Sequence, residues 1–209
     1  MHWTDVDGFE MPNLVGGHPA LDFCNTWAGW GESPDPRREW VPDYDRLVIW
    51  AVWAGVIDSA TGRRLRERFA TGPEASAVVE RAHAFRTAVY VRLTESNGAP
   101  ATSGLIDPIE AARRAQRFTT TKIGATWEWP EDADLPLHAI ALAVADLLIL
   151  GDLDRIGRCP GDDCGWLFRS SQRRRWCNMA TCGNRAKVRA HAARGRGATS
   201  TPAAPAKND

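Results

Sequence analysis

Four cysteines near the end of this 209-residue chain constrain its folding more than any other sequence feature. They follow the spacing Cys159-x4-Cys164-x12-Cys177-x4-Cys182. Two close cysteine pairs separated by a short connecting segment can fold as two tight turns, or knuckles. Their thiolates then converge on one soft divalent ion. The spacing therefore predicts a structural site for one Zn²⁺ ion, because four sulfur ligands leave no open position for a catalytic water.

Two disulfides or an iron–sulfur cluster are the alternatives that the cysteines leave open. The first ten residues have neither the basic segment nor the apolar run of a signal peptide. We therefore expect a cytoplasmic protein, in whose reducing compartment thiols stay free to bind metal. A knuckle of this size has almost no apolar core of its own, so it should unfold without zinc.

The cysteine-rich segment is strongly basic, although the whole chain has no net charge. Residues 159–196 contain nine cationic side chains and two carboxylates, a net charge of +7, whereas residues 1–158 contain sixteen and twenty-three, a net charge of −7. Concentrated positive charge favours a polyanionic partner, and we expect DNA. The predicted nucleic-acid contacts are Arg173, Arg174, Arg175, Asn184, Arg185, Lys187, Arg189 and Arg194.

A short basic helix is predicted over residues 183–194, ending at Gly195. Most of its cationic side chains would contact phosphates, whereas Arg185 or Asn184 are better candidates for base edges because they can bond bidentately. Two structural alternatives remain open. Asn184 could cap the helix, and Arg185 could bond to backbone near the sulfurs.

The segment that contains the second cysteine pair resembles a known family. The run Trp-Cys-Asn-Met-Ala-Thr-Cys-Gly-Asn-Arg-Ala-Lys over residues 176–187, with its Cys182-Gly183-Asn184-Arg185 tetrad, is similar to the CGNR zinc finger. One departure is a shorter loop between Cys164 and Cys177 than that family's pattern has. The resemblance implies a nucleic-acid-binding finger.

A second resemblance lies near the start of the chain. Residues 16–27 contain Leu-Asp-Phe-Cys-Asn-Thr, which resembles the opening of the ABATE domain that precedes CGNR fingers in bacterial proteins described as stress-induced transcription regulators. The resemblance implies a ligand-sensing domain, with Asp22, Asn25, Thr26 and Trp27 as the candidate ligand-binding residues. Asn25 and Thr26 could equally cap a helix. The predicted domains are a sensing domain over 1–154, the finger over 155–195 and a disordered tail over 196–209.

Apolar periodicity over the first 154 residues predicts a helical domain with a small β-hairpin. None of its apolar runs reaches the roughly twenty residues of a membrane span. The fold class is therefore mainly α, an N-terminal helical domain followed by a small four-cysteine zinc finger that ends in a basic helix. The predicted elements are helices over 47–57, 73–95, 107–116 and 135–150, and a hairpin of 119–123 with 125–129.

Aromatic residues carry two interpretations in each half of the chain. Trp27, Trp30 and Trp40 could pack in the core or line a ligand pocket. In the finger, Trp166, Phe168 and Trp176 could form a small core around the metal or stack on the bases of a single strand. Core packing is the prediction for both groups.

The sequence gives no support to an enzymatic function, since it contains no His-Glu-x-x-His motif, no Gly-x-Ser-x-Gly motif and no phosphate-binding glycine loop. We predict a zinc-dependent, DNA-binding transcription regulator that responds to a small-molecule effector. One alternative is a zinc-scaffolded protein–protein interaction module, whose cationic helix would dock on an acidic surface such as that of a second copy in a homodimer. A further alternative is an RNA-binding protein.

Overall fold

The computed structural model describes residues 3–30, 39–95, 102–162, 164–171 and 173–198, which form seven α-helices and three antiparallel strand pairs. The helices are α1 (Pro19–Cys24), α2 (Tyr44–Trp53), α3 (Ser59–Phe69), α4 (Pro73–Thr94), α5 (Ser103–Ala115), α6 (Leu135–Leu150) and α7 (Asn184–Ala198). The strand pairs are β1 (Trp3–Val6) with β2 (Phe9–Pro12), β3 (Arg117–Thr121) with β4 (Gly124–Glu128), and β5 (Ile156–Arg158) with β6 (Leu167–Arg169). The mainly helical fold class is confirmed.

Helix α6 lies at the centre of the first domain because apolar side chains surround most of its circumference. It packs against α1, α2, α4 and α5. Next to it, the Phe23 ring of α1 lies 5.5 Å from the Trp50 ring of α2 and 6.2 Å from the Phe85 ring of α4, between ring centroids. This aromatic cluster fixes α1 in the core, and α1 leads directly into Asn25 and Thr26. We call the Leu-Asp-Phe-Cys-Asn-Thr run of residues 21–26 the first-domain signature.

The long helices follow the predictions from apolar periodicity. Helices α4 and α6 are confirmed, and α6 has the predicted bounds. Helix α2 begins and ends earlier than the predicted 47–57. It begins at Tyr44 because the Asp43 carboxylate caps it by accepting a hydrogen bond from the Arg46 N–H at 2.9 Å. No helix in the described ranges combines the length and the apolar character that a membrane span requires.

The start of α5 was wrongly predicted. The helix begins at Ser103, so Pro108 lies inside it and Asp107 is not its cap. The backbone N–H groups of Leu105 and Ile106 both donate to the Thr102 carbonyl. Because the Leu105 side chain is buried in the core, tertiary packing supports the additional turn despite the hydrogen bond that a proline interior to a helix removes.

The β3–β4 hairpin projects from the first domain, with almost every residue exposed. Its strands start earlier than predicted, so Gly124 is the first residue of β4, pairs with Thr121 of β3 and is not the turn residue. Phe118 and Trp127 face each other across the strands at 5.2 Å between ring centroids and remain 61% and 59% exposed. Sequence reasoning also missed the β1–β2 hairpin and α3.

Candidate metal centre and the basic helix beside it

The four cysteines converge as their spacing predicts. Their sulfur atoms all lie within 4.8 Å of one another, and the Cys164–Cys177 and Cys177–Cys182 sulfur pairs are each 3.6 Å apart. A tetrahedral zinc ion with bonds of about 2.3 Å requires sulfur–sulfur edges of about 3.8 Å. Three of the sulfurs belong to buried residues, and Cys164 is half-buried. The donor set and its dimensions therefore fit one structural Zn²⁺.

The first knuckle is the turn of the β5–β6 hairpin. Cys159 directly follows β5, and its N–H donates to the Trp166 carbonyl at 2.8 Å, which closes the turn that brings Cys164 back to the metal position. Gly165 has a φ of +65°, and a Cβ there would lie 2.7 Å from Trp30 and 2.9 Å from the Tyr90 hydroxyl. Glycine is thus required both for the turn and for the close approach of the first domain.

The second knuckle is a π-helical turn over Met179–Gly183 that leads directly into α7. The Asn178 side chain caps it by accepting a hydrogen bond from the Ala180 N–H at 2.8 Å. A Cβ at Gly183 would lie 2.4 Å from the Met179 sulfur, so the glycine of the Cys-Gly-Asn-Arg tetrad leaves room for that side chain. Metal ligand and helix are consequently one continuous element.

The sulfurs influence one another's protonation strongly. Neighbouring cysteines raise the pKa of Cys164 and Cys177, whereas hydrogen bonds from those thiols lower the pKa of Cys159 to about 7. Sulfur atoms this close cannot all carry negative charge without a cation between them. Zinc supplies that charge when bound, and the four residues would then bind it as thiolates.

Arg174 has several partners inside the protein. Its guanidinium donates to the Val15 carbonyl at 2.6 Å, the Cys177 carbonyl at 2.7 Å and the Trp176 carbonyl at 3.3 Å, and it lies 4.5 Å from the centre of the Phe168 ring. A side chain with these partners connects the second knuckle to the first domain. A nucleic-acid role for Arg174 stays a prediction, and its tertiary contacts distinguish it from the neighbouring Arg173 and Arg175.

The other predicted nucleic-acid residues remain on the surface. Arg189 forms an ion pair with Asp162 of the first knuckle, and both side chains remain largely exposed. Asn184 donates to the Ala180 carbonyl at 3.2 Å, in agreement with the local structural role left open for it. The exposed members are Arg173, Arg175, Asn184, Arg185, Lys187, Arg189 and Arg194. Helix α7 reaches Ala198, so residues 196–198 are helical instead of disordered, and 199–209 lie outside the described residues.

The first-domain signature meets the finger directly. Asn25 is fully buried, its Nδ2 donates to the Leu167 carbonyl at 2.8 Å, and its Oδ1 accepts from the Leu167 N–H at 2.8 Å. The Leu167 side chain belongs to the core of the first domain. Nothing in the local sequence indicates a partner 142 positions away. Asn25 therefore completes the hydrogen bonding of β6.

Thr26 and Asp22 also have partners inside the protein. The Thr26 hydroxyl donates to the Phe23 carbonyl at 2.7 Å and accepts from Arg86 of α4 at 2.7 Å. Arg86, which sequence reasoning missed, is only 4% exposed and also forms an ion pair with Glu39. The Asp22 carboxylate accepts from the Gly16 N–H at 2.7 Å, and burial raises the pKa of Asp22 to about 6.

Aromatic residues fill the space between the two domains. Trp30 stacks on Tyr90 at 3.6 Å between ring centroids, and Trp27 contacts the Trp30 edge at 4.7 Å. Trp27 also supplies the backbone carbonyl that accepts from the Trp166 indole N–H at 3.1 Å. On the other side of the interface, Trp40 packs on Trp166. These tryptophans thus join the domains, and a ligand role for Asp22, Asn25, Thr26 and Trp27 stays a prediction.

Fold and site together define a helical domain joined, through a buried interface, to a four-cysteine zinc finger that displays a basic helix. Residues 17–150 match the ABATE family, described as "Putative stress-induced transcription regulator", and residues 155–195 match the CGNR zinc finger. The chain belongs to the ABATE family of regulators and carries a CGNR finger. No match was found among curated proteins. The domain bounds 1–154 and 155–195 remain predictions.

Proposed function

We propose that this protein regulates transcription by binding duplex DNA through its zinc finger. The observation that carries the proposal is the exposed basic surface beside the metal centre, where Arg185, Lys187 and Arg194 of α7 extend into solvent. This surface belongs to the segment of net charge +7. Phosphate contacts by such cations supply most of the non-specific affinity for DNA.

Zinc acts as a structural element in this proposal. The buried apolar side chains next to the sulfurs are few, chiefly Trp166 and Phe168. A metal that joins both knuckles would therefore determine where the basic residues lie. Cys159, Cys164, Cys177 and Cys182 would hold the ion.

Burial of the finger's aromatic residues favours duplex DNA over single-stranded RNA. Trp166 and Phe168 are each 1% exposed, and Trp176 is half-buried against them. Stacking on unpaired bases requires accessible ring faces. Basic side chains are then the groups left to contact nucleic acid, and phosphates are their natural partners.

The first domain is proposed to sense a small-molecule effector. A cavity of about 380 Å³ lies between the β1–β2 hairpin and helices α2 and α3. Its lining combines the apolar side chains of Val6, Ile49, Val52 and Trp53 with the charged side chains of Asp7, Arg63 and Arg66. This volume lies within the range of ligand pockets. The buried Asn25–Leu167 interface gives a physical route by which ordering of this domain would reach the finger.

We propose that the protein has no catalytic activity and acts in the cytoplasm. Its cysteine outside the metal centre, Cys24, is fully buried, and burial raises the pKa of its thiol to about 12. Such a thiol is almost entirely protonated near neutral pH and is a poor nucleophile.

A protein–protein interaction module is the second candidate, favoured by the projecting β3–β4 hairpin. Phe118 and Trp127 form an exposed aromatic pair on a two-stranded sheet, which is marginally stable alone in water. A homodimer formed there would depend on protein concentration. DNA binding would instead be competed by added duplex and would weaken steeply with salt.

The test of DNA binding is fluorescence anisotropy of labelled genomic duplex fragments titrated with zinc-loaded protein at several salt concentrations. We expect saturable, salt-sensitive binding that the Cys177→Ser variant loses. Because that variant can unfold, an Arg185→Ala, Lys187→Ala double variant with measured zinc content provides the second comparison. Absence of binding at low salt by the zinc-loaded wild type would contradict the proposal and favour the interaction module.

Effector sensing has a separate test. Metabolites that raise the melting temperature of the zinc-loaded protein should also change its affinity for DNA. Substitution of Trp53 by Ala should abolish both effects. Stabilising ligands that leave DNA affinity unchanged would contradict the sensing proposal while leaving DNA binding intact.

A further inference from the structure

Helix α7 extends from the finger, and the rest of the described chain covers few of its side chains. Every side chain from Asn184 to Arg194 is exposed except Ala186, which is half-buried. Its main contacts with the rest of the described chain are the π-helical turn that precedes it and the Arg189–Asp162 ion pair. An isolated helix of this length is marginal in water, so a partner that surrounds it would stabilise it.

Positive charge lies on two sides of α7. At about 100° per residue, Arg185 and Arg189 lie on one side of the helix, whereas Lys187 and Arg194 lie roughly opposite. We call these pairs the first and second cationic rows. A helix that rests on a flat anionic surface can use only one of them. Two opposite cationic rows match a partner that presents an anionic surface, or wall, on each side of the helix.

Residues other than Lys and Arg occupy the two strips between the rows. Ala186, the half-buried position, marks the strip that faces the finger. Asn184, Val188 and His191 lie on the opposite side, which we call the outer strip. The outer strip therefore points away from the protein, between the two cationic rows.

We infer that α7 enters the major groove of duplex DNA, with the outer strip facing the base edges and one cationic row against each phosphate backbone. The inference rests on the proposed function. An α-helix is about 10–12 Å across and fits the major groove, which is about 12 Å wide, whereas the minor groove of about 6 Å excludes it. The two phosphate backbones that border the groove are the two anionic walls.

Side chains of the outer strip have the chemistry of base recognition. Val188 is 69% exposed and can contact a thymine methyl group. The Asn184 amide donates to the Ala180 carbonyl, which leaves its Oδ1 to accept from an exocyclic amino group of adenine or cytosine. These residues would set sequence preference, and the rows would set affinity.

The first experiment compares zinc-loaded full-length protein on three forms of one A·T-containing duplex. One is unmodified, one carries glucosylated 5-hydroxymethylcytosine that fills the major groove, and one has its minor groove occupied by netropsin. We expect the glucosylated duplex to bind more than about tenfold more weakly and netropsin to have little effect. Full affinity for the glucosylated duplex, with loss of binding on netropsin addition, would overturn the inference and leave DNA binding in place. Failure to bind even the unmodified duplex would remove the proposed function itself.

Variants of the two rows test the opposed arrangement. Arg185→Ala and Lys187→Ala, one from each row, should each lower the slope of log affinity against log salt by about one. Arg114→Ala, which removes an exposed charge from α5 of the first domain, is the matched control and should leave the slope unchanged. A slope that responds to only one of the two rows would overturn the groove geometry.

The role of the outer strip is tested by measuring base preference. Val188→Ser should change the bases enriched from a random duplex pool while leaving zinc content and salt dependence unchanged, because it alters a base contact and no charge. An unchanged base preference in this variant and in His191→Ala would contradict the assigned orientation of the helix.

Discussion

Helices α6 and α7 have nearly the same length and opposite surroundings. The sixteen residues of α6 are almost all apolar and lie within the packed first domain. The fifteen residues of α7 are largely alanine, glycine and basic side chains, and those from 184 to 194 are nearly all exposed. One helix is held by its side chains, whereas the other is held at one end by the metal-binding turn.

The difference shows that the chain uses two sources of stability. Burial of apolar area stabilises α6 and, through Leu167, part of the finger's β-hairpin. Metal coordination would stabilise the turn from which α7 extends. A helix anchored in this second way keeps its side chains available for a partner.

Removal of zinc should produce the largest difference between the two helices. Zinc binding to a structural site of this kind contributes about 10–16 kcal/mol of apparent folding free energy. We expect chelation to abolish hydrogen-exchange protection in peptides from residues 159–183 and to reduce total helicity, while α6 peptides keep their protection. Added zinc should restore both signals. Unchanged protection around Cys177 after measured loss of metal would show that packing alone holds the finger.

Truncation of one side chain in each helix should give the second-largest difference in stability between α6 and α7. Ile140→Ala removes a side chain that is 1% exposed in α6 and should lower the unfolding free energy by about 2–5 kcal/mol. Val188→Ala, at a position 69% exposed in α7, should change it by less than about 0.5 kcal/mol. Urea unfolding at constant zinc measures both. Similar losses for the two variants would contradict the comparison.

Acidity should affect the buried interface through Asp22. Burial raises the pKa of Asp22 from 3.8 to about 6, so the folded protein holds this proton more tightly than the unfolded chain does. Its stabilising contribution is complete below pH 3.8 and is lost as pH rises through 6, a change of about 3 kcal/mol.

The Asp22→Asn variant isolates this effect because its side-chain oxygen can still accept from the Gly16 N–H. Its stability relative to the wild type should increase between pH 4 and pH 6, as measured by urea unfolding at each pH. Parallel pH profiles for the two proteins would show that Asp22 titrates near its ordinary pKa.

Two asparagines give the smallest expected contrast. Asn25→Ala leaves the backbone N–H and carbonyl of Leu167 without their partners in a buried interface and should cost about 2 kcal/mol. Asn184→Ala, at an exposed position of α7, should cost less than about 0.5 kcal/mol. Thermal unfolding at constant zinc distinguishes the two variants. An equal loss of stability would mean that water molecules replace the Asn25 side chain as partners of Leu167.

The sequence was sufficient for features that depend on local pattern. Cysteine spacing predicted the metal ligands because short loops restrict where each sulfur can lie. Apolar content predicted the bounds of α6, a helix buried on most sides. The earlier start of α5 escaped prediction, since burial of Leu105 outweighed the boundary signal at Asp107-Pro108.

Roles that depend on distant partners could not be predicted. Asn25 bonds to a strand 142 positions away, and no periodicity encodes that pairing. Arg174 is one of three consecutive arginines, and only the position of the Val15 carbonyl makes it structural while Arg173 and Arg175 stay exposed. The hydrogen bonds between the first domain and the finger therefore depend on tertiary contacts that local sequence does not specify.

The exposed outer strip of α7 has a consequence for how such proteins diversify. Because Val188 and His191 are exposed, and the core and metal ligands lie elsewhere, substitutions there carry little folding penalty. Under the proposed groove orientation, descendants of one ancestral chain would therefore acquire different target sequences through substitution of a few residues on this strip, with the metal centre and the first domain inherited intact.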